Sequence, residues 1–306
     1  MIQRAIGADI GGSHISAAVV DLSSGQLLPE TLFRKSYEHQ QSADDLLHAW
    51  ATVLHQSLDA AGTECQGMGI AMPGPFDYQH GISKMKHKFP HLFNYDVRAA
   101  LSERLGTGSM PIRFLNDATS FAVGEAWVGA GKSVPRVVVV TLGTGFGSAF
   151  LQDGIPIVHS EEVPKEGCMW HLPFKEGIAD DYFSTRWLVA AYEAASGLRL
   201  PGVQQMVERA ENDPYVQAIF EEFGSNLARC LEAPLRRFRA DQLIMGGNIA
   251  HAWPLFQPSF ERGLAAMGYY ISVTPSKLWE QGALIGSARL MDPIFWEKVS
   301  ADFPVL

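Results

Sequence analysis

Twice in this chain a strand-forming run ends in a short glycine turn and is followed at once by a second strand. The first instance is Asp9-Ile10-Gly11-Gly12-Ser13-His14 and the second Thr141-Leu142-Gly143-Thr144-Gly145-Phe146-Gly147. Residues 5–9 and 15–21 flank the first turn, and residues 136–141 and 148–151 flank the second, with Asp153-Gly154 as the following turn. Such runs with a tight glycine link between them predict a β-hairpin. A hairpin that recurs in this way predicts a duplicated α/β architecture, mixed sheets with helices on their faces, in place of one continuous core.

The intervening pattern fits that plan. A third strand is expected around residues 28–37. Ala43–Ala61 carries apolar residues at helical spacing, with Ser42 as its N-cap. A buried strand over 67–71 stops at Met72-Pro73-Gly74-Pro75, where proline forbids continuation. Strand 112–115 runs into Asn116-Asp117 and an alanine-rich helix over 118–128. After the second hairpin the chain reads as mainly helical from Tyr182 to Arg239. Strand 242–245 then ends in Gly246-Gly247-Asn248 before another helix, and a last helix at 282–291 closes the second domain. At 306 residues two domains are expected. The division is placed at 1–117 and 118–306, with a final helix about 290–306 packing back on the first lobe.

Two familiar nucleotide motifs are excluded by context. Gly7, Gly11 and Gly12 do not space as G-x-G-x-x-G, and a strand follows them instead of a helix. Residues 126–133 satisfy a loose P-loop pattern, yet a helix precedes and a strand follows, the reverse of what a P-loop needs.

Charge narrows the partners. Lys and Arg total 24 against 33 Asp and Glu, a net charge of -9, so nucleic acid is not an expected partner. A small anion remains compatible, because backbone N–H groups at a glycine turn hold phosphate without a basic surface. Asp9 beside the first turn is suited to hold Mg2+ through water. Cys65, Cys168 and Cys230 form no disulfide framework, and no apolar run reaches about 18 residues, so a reduced cytoplasmic setting without membrane is expected.

Taken in order, residues 9–21, 69–77, 116–131, 138–147, 180–184, 243–248 and 282–290 resemble the ROK family of sugar kinases and sugar-responsive repressors. The resemblance implies a two-domain actin-like ATPase (ribonuclease H-like) fold and an ATP- and Mg2+-dependent sugar kinase. It implies that Gly11, Gly12, Ser13, His14, Thr141, Gly143, Thr144 and Gly145 hold the ATP phosphates and that Gly246, Gly247 and Asn248 border the adenosine. It places Asp117 as the catalytic base, with Asn116, Pro73, Gly74, His171 and Asp180 toward the sugar. The residues alone leave Asn116-Asp117 open between that role and a helix N-cap, and His171 open between a sugar contact and a structural histidine.

The pattern also breaks. Three residues before His171 the family has Glu and this chain has Cys168, with Glu161, Glu162 and Glu166 as nearby substitutes. The family's zinc-binding cysteines are missing, so no zinc is expected. Asp180 stands for a longer Glu. A catalytically weak sugar- or nucleotide-binding protein with a regulatory role is therefore the competing expectation. The repressor branch is disfavoured because only eight residues precede Asp9. Family members commonly dimerise, and Trp253 and Phe256 are open between a homodimer interface and the core.

Overall fold

The computed structural model describes residues 3–62 and 64–300. They form two compact units, one of residues 1–133, 154–156 and 280–306, the other of residues 134–153 and 157–279.

In the first unit Arg4–Ile10 pairs antiparallel with His14–Asp21, and on its other side lies parallel to Met68–Met72, which lies parallel to Ile112–Asn116. The expected single strand at 28–37 is broken. Gln26–Leu27 and Phe33–Ser36 both pair with His14–Asp21, while Pro29–Thr31 forms a 3-10 turn between them. Pro29 has no N–H for the ladder, and the Val19 N–H donates to Thr31 Oγ1 at 2.8 Å where a strand carbonyl would otherwise accept it. Ala43–Ala61 is helical as expected: Ser42 accepts the Asp45 N–H at 3.1 Å, and Gly62 ends the helix in a left-handed conformation. Its apolar face, with Leu46, Leu47, Trp50, Val53 and Leu54, packs into the core beneath the sheet.

In the second unit Arg136–Leu142 pairs antiparallel with Phe146–Gln152 and parallel with Gln242–Gly246, which lies parallel to Ser272–Pro275. Val138 and Val140 are fully buried, as a central strand covered on its faces requires. The long helix Pro214–Phe238 is capped by Asp213 and packs against Trp253–Ala266. Trp253 and Phe256 are buried in this core, which settles them as packing residues within the chain.

The chain then returns to the first unit. The helix expected at 282–291 to close the second domain is Gln281–Ala288 with a 3-10 turn at Arg289–Met291, and it lies on the first unit's sheet. A Cβ added to Gly69 would come within 1.7 Å of Ser287 O, and one on Gly286 within 1.8 Å of Ser120 O, so only glycine permits this approach. Helix Asp117–Val128 also groups with the first unit, whereas a division at 117 assigns it to the second. A further helix, Pro293–Val299, follows, with the Arg113 guanidinium 4.0 Å from the Trp296 ring centroid. The rest of the helix expected to 306 lies outside the described residues.

Candidate active site

In the first unit, three parallel strand ends lie side by side. The registers pair Asp9 with Ala71 and Met72 with Asn116, so Asp9, the Pro73-Gly74 turn and Asn116-Asp117 share the carboxyl edge of the sheet. Ligands of α/β sheets gather at such edges.

The Gly11–Ser13 turn is held from below. Tyr37 Oη lies between the carbonyl oxygens of Gly11 and His14, 3.0 Å from the latter, and the Tyr37 N–H donates to Ser13 O at 2.9 Å. Burial pushes the phenol far above its ordinary range, so it remains a neutral donor. With the carbonyls occupied on that side, the turn keeps its outer face free, and a Cβ on Gly12 would meet nothing within 4 Å. Ser13 Oγ is 3.3 Å from His14 Nδ1. Burial and then Arg34 lower the His14 pKa, which keeps the ring neutral.

Asp9 is pushed up to about 7, first by burial and then by the negative charge of Asp117. Arg34 works against this, standing in the same cross-strand row through the Asp9–Ser16 and Ser16–Arg34 pairs, while Glu280, 3.1 Å from Arg34, reinforces it. Sequence reasoning missed both Tyr37 and Arg34, since their roles arise from strand register. A buried carboxylate disfavoured in its charged form beside an open glycine turn suits a divalent cation, so the chemistry of Asp9 is compatible with the expected Mg2+ position. Among the described residues no group of three or more His, Cys, Asp or Glu side chains gathers at this site or at any other.

The backbone shows which of Asn116 and Asp117 caps the helix. Asn116 is the extended N-cap, its Oδ1 accepting the Thr119 N–H at 3.1 Å, while its Nδ2 donates to Tyr78 Oη at 3.3 Å. Asp117 is the first helical residue. Among the described residues only its Oδ1 is engaged, by the Ala118 N–H at 2.9 Å.

In the second unit the turn Gly143-Thr144-Gly145 is braced differently. Gly143 O accepts from the Thr185 N–H at 2.8 Å and from Thr185 Oγ1 at 3.1 Å. Asp180 Oδ1 accepts the Phe146 N–H at 2.7 Å, and its Oδ2 is 3.4 Å from Arg186. Half of the Asp180 carboxylate is thus committed to the turn. Thr141 stands beside Gly246 in the register, and Gly247, at φ +80°, passes so close to Leu142 that a Cβ would meet Leu142 O at 2.4 Å. Asn248 opens the 3-10 turn that follows.

His171 Nδ1 is 3.9 Å from Cys168 Sγ. Burial and then Glu166 push that thiol up to about 11, so it stays protonated. Of the substitutes for the missing glutamate, Glu162 is engaged by Arg136 at 2.6 Å and Arg239 at 3.3 Å. Arg136 begins its strand, at the end opposite the glycine turn. Glu166 is the one whose charge reaches Cys168.

A model described as the ROK family matches residues 5–293. This chain belongs to the ROK family. The ROK chain is 24% identical over 318 residues to a glucokinase of Thermotoga maritima, covering 94% of this chain and 97% of that one. It is 24% identical over 269 residues to an N-acetyl-D-glucosamine kinase of Pectobacterium carotovorum, covering 82% and 86%. The crystal structure of a ROK glucokinase from Streptomyces griseus in complex with glucose and AMPPNP superposes with a TM-score of 0.75 at 23% identity, over 94% of this chain and 98% of that one. The ROK chain therefore has the actin-like ATPase fold. No helix among the described residues is long and apolar enough to cross a membrane.

Proposed function

We propose that this chain is an ATP-dependent sugar kinase that transfers the γ-phosphoryl group to a hydroxyl of a hexose or related sugar, working on small molecules in the cytoplasm. The observation that carries the reading is the division of labour at residues 116 and 117. Asn116 caps the helix, and Asp117 keeps one carboxylate oxygen without a hydrogen bond among the described residues, on the same sheet edge as Asp9. The kinase names of the curated relatives agree with it.

In this mechanism the free oxygen of Asp117 accepts the proton of the sugar hydroxyl as the hydroxyl oxygen attacks the γ-phosphorus and the bond to the leaving ADP breaks. Asn116 orients the sugar through the amide hydrogen that Tyr78 does not take, with Pro73, Gly74, His171 and the Oδ2 of Asp180 as further contacts. The two glycine turns hold phosphate oxygens through backbone N–H groups, aided by Ser13, His14, Thr141 and Thr144, and Gly246, Gly247 and Asn248 border the nucleoside. Mg2+, when held by Asp9 through water, neutralises phosphate charge. No structural zinc is required, since Cys168 and His171 fall short of four ligands.

A coupled assay for ADP release over a monosaccharide panel tests the reading, with Asp117→Asn as control. Sugar-dependent ADP release that falls by about 10²–10⁴-fold in Asp117→Asn is the expected result. Cys168, standing where a glutamate is expected, favours the binding-protein alternative, and folded wild-type protein that binds sugar yet releases no ADP with any sugar would establish it.

A further inference from the structure

The three parallel strands of the second unit end on one edge, and each ending carries something distinct. Arg136–Leu142 leads into the glycine turn, Gln242–Gly246 into Gly247 and the 3-10 turn Asn248–Ala252, and Ser272–Pro275 into residues 276–279. From the last two endings an imidazole and an indole meet. His251 and Trp279 are stacked with centroids 4.0 Å apart and planes 13° from parallel.

Trp279 is held there against its own preference. Its φ is +49°, a left-handed conformation that a bulky side chain adopts only when its surroundings impose it. Ser276 supplies the restraint: its N–H donates to Met245 O at 2.8 Å, and its Oγ accepts the Trp279 N–H at 2.7 Å. The indole is half-buried against the core, whereas His251 is exposed. An aromatic ring backed by a second ring and open to solvent is a stacking surface for a flat ligand.

Its position says which part of a ligand it meets. Two strand spacings, about 10 Å, separate the glycine-turn strand from the strand before Trp279. A nucleotide's base and its outer phosphates stand a comparable distance apart. We propose that His251, supported by Trp279, is the platform on which the base of the bound nucleotide stacks. The proposal rests on the kinase reading and adds a base-binding pair beyond the Gly246-Gly247-Asn248 turn.

Isothermal titration of the full chain with ATP and, separately, with inorganic tripolyphosphate tests it. His251→Ala and Trp279→Gly weaken ATP binding by about 5- to 100-fold, the span of one base–aromatic stack, and leave tripolyphosphate binding within about twofold. Trp279→Phe, which keeps a ring, restores most of the ATP affinity. Because His251 is exposed, its alanine variant reports even if Trp279→Gly fails to fold. ATP affinity unchanged in His251→Ala, or tripolyphosphate binding weakened in step with ATP, overturns the platform. Wild type that binds tripolyphosphate but not ATP overturns it too, and wild type that binds neither overturns the kinase reading beneath it.

Discussion

The two glycine turns hold the same place, each linking two antiparallel strands of its own sheet, and differ both in closure, with the Gly11 N–H donating to His14 O but the Gly143 N–H to Gly145 O, and in what braces them. In the first unit a neutral phenol, Tyr37, satisfies carbonyl oxygens beneath the turn, and the charge nearby belongs to Asp9. In the second a carboxylate, Asp180, takes a backbone N–H at the far side of the turn, and no acidic residue occupies positions 141–147. The first turn thus has its acidic residue on its own strand, whereas the second draws one from position 180 as a brace. A recurring hairpin keeps its place in the sheet while its closure and its braces, drawn from distant positions such as 37 and 180, distinguish each copy.

The largest test of that contrast is Asp9→Asn. Kinase activity falls by about 10²-fold or more in the coupled assay, because phosphate charge loses its partner near the first turn, while the protein itself becomes more stable. The folded-state pKa, about 7, lies above the ordinary aspartate value of 3.8. The native state therefore binds more protons between these values, and wild-type stability falls as pH rises from about 4 to 7 and levels above. Asn at this position removes that loss. Thermal melts at pH 8 without Mg2+ should place the variant about 5 °C higher, and the gap should close toward pH 4. An equal melting temperature at pH 8 would mean that the carboxylate is not disfavoured at all.

Asp180→Ala comes next. It strands the Phe146 N–H, at about 1–3 kcal/mol of stability, and lowers kcat/KM for ATP by about tenfold or more, whereas Asp180→Asn, which still offers an acceptor to that N–H, keeps most of the stability. If the alanine and asparagine variants melt together, Asp180 does not brace the turn. Tyr37→Phe is the smallest, about 1 kcal/mol and a few-fold rise in KM for ATP, with the KM for sugar unchanged. A shift confined to the sugar would sever Tyr37 from the first turn.

What was legible beforehand was whatever local chemistry decides. Ser42 as a cap, the strand stop at Pro73 and both hairpins follow from residue types at short range. What escaped depends on contacts across the chain. The 28–37 run reads as one strand until Pro29 and the Thr31 hydroxyl are seen to replace a ladder bond. Asn116 and Asp117 are equally good caps on paper, and backbone dihedrals choose between them. Residues 281–288 carry apolar and small side chains on every side, which marks a buried helix but not which sheet covers it. Arg34 reaches Asp9 only through the register of two strand pairs.

The seating of that helix bears on how the chain is made. Its backbone lies against Gly69 and its own Gly286 against Ser120, so strands and helix from the first 128 residues await a piece that starts at 281. During synthesis at about 5–20 residues per second, the opening segment leaves the ribosome with a groove sized for an absent rod, and it stays open while the whole second unit is translated. The nascent protein must therefore carry an uncovered sheet for several seconds, a window in which its apolar face is open to chaperones.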